Sequence, residues 1–151
     1  MQFLSIIAAT VLSATSAQPR NHTGGAGSNP MEVARAAYRT ADDAEALQRQ
    51  AGFSCANGQG YQLSQAAYSL HTTLSDLYWS ARRAAGGQRT GVTRNHQGDA
   101  EFDALFDRTE QYYAQVQSAY SYIANYCNSN IQSYYQSLQY DYSYLAQTVG
   151  H

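Results

Sequence analysis

Leu63, Ala67, Leu70, Leu74, Leu77, Ala81 and Ala84 follow one another in alternating steps of four and three residues. A seam of that period, held over three heptads, is one face of a helix that lies along another helix. A strand needs alternation by two and is excluded here. Three further stretches carry related stripes. Ala34, Ala37, Ala41, Ala44, Leu47 and Ala51 form the first, with Gln48 interrupting. Phe102, Leu105, Thr109, Tyr112, Val116, Ala119, Ile123 and Tyr126 form the third, and Ile131, Tyr135, Leu138, Tyr142, Leu145 and Val149 the fourth. Four amphipathic rods with short links predict an all-α, antiparallel up-down four-helix bundle over residues 30–149.

The punctuation sets the predicted ends at about 30–51, 61–85, 99–127 and 130–149. Asn29 is a cap residue, Pro30 suits a first helical position, and Glu32 falls three residues after the cap. Gly52 and the Gly86-Gly87 pair read as stops, residues 88–98 as a loop, and Asp99 as the next cap. Residues 111–148 are so rich in Gln, Ser and Tyr that composition alone resembles an aggregation-prone tract. Their apolar residues still step by three and four, which decides for helix.

Before the bundle lies an address. Residues 1–17 hold an apolar run of about ten residues ending in Thr15-Ser16-Ala17, the small-x-small pattern of signal-peptide cleavage. Cleavage is expected after Ala17, followed by a flexible Gly/Asn/Ser leader over 18–29. No apolar stretch reaches 18 residues, so no membrane span is expected. Export predicts a disulfide between Cys55 and Cys127, the two cysteines of the chain. The predicted topology supports this pairing, because the end of the first helix and the end of the third fall at the same end of an up-down bundle. Asn21-His22-Thr23 is a glycosylation sequon, with Asn21 the acceptor.

Charge narrows the function. Only 13% of the 151 residues are charged, the formal charge is -2, and arginine replaces lysine throughout. Such a balance excludes a nucleic-acid or polybasic membrane binder, which needs basic excess to neutralise phosphates. In place of charge the chain carries 14 tyrosines. Several of them, with the sole tryptophan, fall away from the seams. Tyr61, Tyr68 and Trp79 project to the back of the second helix, and Tyr140 and Tyr144 roughly opposite the fourth stripe. Tyr122 lies near the edge of the third. Three roles fit Trp79: cover by the leader or the 88–98 loop, packing against a further element or partner copy, or an exposed binding anchor. The binding residues expected on this basis are Tyr68, Trp79, Tyr140 and Tyr144, with Arg82 and Arg83 as rim charges.

Catalytic and metal motifs are not evident. The four histidines show no H-x-x-x-H spacing, and there is no G-x-S-x-G, H-E-x-x-H or P-loop. Asp99, Asp103 and Asp107 share a face, but they sit where acids complement a helix N-terminus. His71, at the edge of the second seam, reads as a packing residue. No metal and no cofactor are expected.

The combination of leader, disulfide, helical core and missing catalytic motif resembles the small secreted proteins of filamentous fungi. That resemblance implies extracellular life and contact with a host or a surface. The first expectation is therefore a secreted, non-enzymatic, effector-like protein whose outward rings meet a host protein or a cell-wall partner. A second reading is a carrier of fatty acid or binder of hydrophobic surfaces, with a cavity between small alanines and tyrosine hydroxyls. A third is a small secreted hydrolase.

Overall fold

The computed structural model describes residues 29–90 and 96–150. The expected cleavage after Ala17, the leader up to residue 28 and the Asn21 sequon lie outside these residues. Among the described residues there are four helices and no strand: α1 (Pro30–Ser54), α2 (Tyr61–Thr90), α3 (His96–Ile123) and α4 (Asn130–Thr148). Single 3₁₀ turns follow α1 (Ala56–Gly58) and α3 (Ala124–Tyr126). The backbone of α1 lies close to those of α2 and α4, and α2 lies close to α3. The fold is the all-α bundle that the stripes predict.

The start of α1 has a local cause, whereas its end does not. The Asn29 side chain accepts from the Met31 amide at 3.0 Å, capping α1. Two predicted stops do not operate. Helix α1 runs through Gly52 to Ser54, and α2 runs through Gly86-Gly87 to Thr90. Glycine permits a left-handed cap without enforcing one, and neither Gly52 nor Gly86 adopts a positive φ. What ends α1 is the crosslink: Cys55 turns extended, and the Asn128 amide donates to the Ser54 carbonyl at 2.8 Å. Helix α3 begins at His96, three residues before Asp99, and gives way to the 3₁₀ turn before Cys127. In the α1–α2 link Gly58 takes φ +73°, and a Cβ on Gly60 would overlap the Ala51 carbonyl oxygen. Only glycine fits that close approach.

The core follows the stripes with small corrections. Leu63, Ala67, Leu70, Leu74, Leu77 and Ala81 are all buried, and Ala85 rather than Ala84 completes the row. On α3, Phe106 is fully buried although the predicted stripe passes it by, and Tyr126 is 54% exposed although the stripe includes it. The 3₁₀ turn rotates Tyr126 off the helical register. Helix α1 buries Val33, Ala36 and Thr40 beside its predicted alanines, since it has close neighbours on two sides. The Thr40 hydroxyl is satisfied within the helix, donating to the Ala36 carbonyl at 2.7 Å. Each fully buried leucine contributes roughly 1.5–3 kcal/mol.

The seam between α3 and α4 is built differently. Their backbones come close at few points. Stacked tyrosines fill the space: Tyr113 on Tyr142 with centroids 3.8 Å apart, and Tyr120 on Tyr135 at 3.9 Å. Burial raises the phenols of Tyr113, Tyr135 and Tyr142 above the ordinary value, that of Tyr135 to about 12.

Cys55 and Cys127 form the predicted disulfide, tying the end of α1 to the end of α3. At the opposite end the Tyr144 hydroxyl of α4 donates to Glu32 of α1 at 2.5 Å.

Candidate functional site

Helix α2 presents an aromatic row along its outer side. Tyr61, Tyr68 and Trp79 are all exposed. They are seven and eleven residues apart, which aligns them within about 20° and separates them by about 10 and about 16 Å along the axis. The predicted Tyr68 and Trp79 thus share one face, as their spacing requires.

Around Trp79 the row thickens into a patch. The Trp79 ring is 55% exposed and meets Tyr78 edge-on, with centroids 4.9 Å apart. Tyr78 in turn packs against Tyr38 of α1 at 5.6 Å. That contact across helices follows from the small residues lining α1, which let the two backbones approach. Arg82 closes the group. Its guanidinium lies 5.7 Å from the Tyr78 centroid and 5.9 Å from the Trp79 centroid, and it donates to the Tyr78 hydroxyl at 2.8 Å. Positions 78 and 82 are one turn apart, so this brace is built into the helix.

The arginine pair divides. Consecutive residues point about 100° apart on a helix, so Arg82 turns toward α1 and Arg83 toward α3. Arg83 pairs there with Glu101 at 3.3 Å, an exposed ion pair worth at most about 1 kcal/mol. It lies on the far side of Trp79 from the Tyr78 contact.

The two α4 tyrosines also separate. Tyr140 is 75% exposed. Tyr144 is half-buried: it donates to Glu32, and the Arg39 guanidinium lies 5.5 Å from its ring centroid. The hydrogen bond to Glu32 raises its phenol above the ordinary value, while Arg39 and Arg35 pull the other way. Tyr144 is therefore a tie between α4 and α1 rather than a free ring. Its position opposite the α4 stripe does not leave it outward, because α1 packs against that flank. Helix α1 carries Tyr38 toward α2 and the adjacent Arg39 toward α4, so the two arginine–aromatic groups adjoin across it.

Sequence reasoning missed Tyr38, Tyr78 and Arg39. Their aromatic and basic character was visible, but their neighbours depend on how closely α1 and α2 approach. The signal that could have found Tyr78 is its four-residue spacing from Arg82.

Two polar features complete the surface. His71 Nδ1 lies 3.1 Å from the Ala41 carbonyl, which requires the proton on Nδ1 and pins α2 to α1. Its partner is a backbone oxygen, not the carboxylate that would orient a catalytic base. On the α1–α4 seam the Asp43 carboxyl lies beside that of Asp141, and its buried Oδ2 receives no donor from any other group. Burial, then the hydrogen bond and charge of Asp141, then the charge of Asp42, push the Asp43 carboxyl from 3.8 to about 7. Arg39 opposes the shift.

Among the described residues no helix is long and apolar enough to cross a membrane, and no group of three His, Cys, Asp or Glu side chains is placed to hold a metal ion. Fold and surface together define a disulfide-pinned helical bundle with an arginine-braced aromatic patch. Comparison with protein-family models, curated proteins and solved structures gives no match.

Proposed function

We propose that this chain is a small secreted, non-enzymatic binding protein, effector-like in mode, which contacts a host protein or cell-wall surface through the Trp79 patch. The observation that carries the reading is a tryptophan more than half exposed yet braced by Tyr78 and Arg82. Leaving a ring of that size in water is unfavourable. Bracing it lowers the entropy lost when a partner covers it, the condition that favours aromatic anchors at interface centres. Arg82 adds a charged rim to the same anchor, and Tyr68 extends the face along α2. A disulfide suits an oxidising compartment, and the residue 1–17 pattern supplies the route there.

The test uses the mature chain beginning at Gln18, labelled and incubated with intact host cells and with isolated cell walls. Trp79→Ala is expected to weaken retention about tenfold or more, the effect of losing an anchor worth roughly 2 kcal/mol. Tyr140→Ala is expected to act separately and more weakly. Unchanged retention in both variants, with native helicity, would overturn the assignment. N-terminal sequencing of the exported protein checks cleavage after Ala17.

A further inference from the structure

We infer that the groove between α2 and α3 binds a neutral oligosaccharide, at a site distinct from the Trp79 patch. The groove is open to solvent and has a volume of about 660 Å³, within the range of roughly 300–1,000 Å³ typical of small-ligand clefts. One wall is Gln62, Gln65 and Ser69 of α2, and the other Gln115, Ser118 and Tyr122 of α3, over a floor of Ala66 and Ala119.

The chemistry of this lining is selective. It contains no charged side chain, so it offers nothing to neutralise a phosphate, a carboxylate or a basic peptide. It is also not the closed apolar tunnel that a fatty-acid chain requires, since the groove is open along its length and six of its eight lining side chains carry an amide or a hydroxyl. Each glutamine amide carries both donors and an acceptor, and each serine hydroxyl is both at once. Sugar hydroxyls have the same dual character, and a run of them can be met only by a surface that alternates donor and acceptor. The side chains of Gln62, Gln65, Gln115 and Ser118 are all exposed, where a ligand can reach them. Tyr122 adds the second element of sugar recognition. It is 74% exposed, and its ring offers a flat face to the C–H side of a pyranose. The small floor residues let a ring settle between the helices.

The site is also rigid. Positions 62, 65, 66 and 69 recur on one face of α2, and 115, 118, 119 and 122 on one face of α3, so backbone helix sets the spacing of every group. Tyr122 stands five residues before Cys127, whose disulfide fixes that end of α3. Tyr61 and Tyr68, each one residue before a groove-lining position of α2, border it on the outer side.

The experiment is a titration followed by two-dimensional NMR on the full mature protein with its disulfide intact. The probes are uncharged gluco- and xylo-oligosaccharides of increasing length, an oligogalacturonate as the charged counterpart, and a Gln/Ser peptide. The expected result is saturable shifts at Gln65, Gln115 and Tyr122 with the neutral sugars, affinity that rises with chain length, and weak or no response to the uronate and peptide. Tyr122→Ala and Gln115→Ala are each expected to weaken binding about tenfold, equivalent to about 1.4 kcal/mol. Both positions are exposed, and circular dichroism verifies that the variants keep their helices. Lack of saturation with every neutral sugar would overturn the inference. So would equal binding of the uronate, a preference for the peptide, or affinity unaffected by both substitutions. Trp79 does not line this groove, so failure here leaves the Trp79 assignment standing, and the reverse also holds.

Discussion

Helices α1 and α3 solve the same packing problem with opposite materials. Helix α1 buries mainly alanine and draws α2 and α4 close to its backbone. Helix α3 meets α4 through tyrosine rings stacked two by two, with the backbones held apart. The first seam depends on the absence of side-chain volume, so its tolerance for added atoms is low. The second depends on ring-on-ring contact, which survives small shifts but leaves buried phenols that resist ionisation. Outward consequences follow from each. Close approach of α1 and α2 is what brings Tyr38 onto Tyr78 and so braces Trp79. On the other side, α3 leaves its Gln/Ser/Tyr strip open along α2.

The contrast yields graded predictions. Replacing Cys55 and Cys127 together by alanine removes the bond joining the alanine helix to the tyrosine helix. At a sequence separation of 72, the expected loss is about 4 kcal/mol by chemical denaturation. A loss confined to a fraction of that would mean the two halves hold together without it. Next in size, Ala37→Leu on α1 is expected to cost about 3 kcal/mol, because nothing there can yield. It should also lower binding through Trp79 by spreading α1 from α2. If the seam absorbed leucine without cost, the alanine helix would not be tightly packed. On the other seam, Tyr113→Leu keeps most apolar volume but loses the stack on Tyr142. The cost is expected to be about 1 kcal/mol beyond any change in area, read from the shift in denaturation midpoint.

The smallest effect concerns pH. The folded chain holds the Asp43 proton more tightly than the unfolded chain, because its carboxyl is raised from 3.8 to about 7. The pair therefore adds stability that is fully present below about pH 3.8 and is lost as pH rises to about 7. With this seam partly open to solvent, screening reduces the change to the order of 1 kcal/mol. Asp43→Asn should flatten the dependence of melting temperature on pH between those limits. A wild-type melting temperature that climbed steadily through that window would contradict the assignment.

Much of the fold is legible in the sequence. The α2 seam showed itself because leucine and alanine alternate there with little noise, and the helix needs no partner to reveal its period. Cys55 and Cys127 could be paired because they are the two cysteines of a chain expected to be exported, and up-down topology independently brings them to one end. Helix ends were harder, since glycine marks where a chain can turn, and the crosslink decided where α1 does. Phe106 was missed because tracing one residue per turn ignores the second apolar file of a helix with neighbours on both flanks. At the surface, the row of Tyr68 and Trp79 followed from spacing within one helix. The division of Arg82 from Arg83 was implicit in the same geometry, but its partners were not. The roles of Tyr38 and Tyr144 depend on which helices adjoin, and a stripe cannot state that.

The crosslink beside the Asn128–Ser54 hydrogen bond makes one end of the rods a fixed base, with the far tips joined more lightly through Tyr144 and Glu32. A body built in that way vibrates like a tuning fork, quiet at the stem and wide at the prongs. Deuterium should therefore enter the backbone amides slowest beside the sulfur bridge, and a reducing agent should erase that gradient before it unwinds any helix.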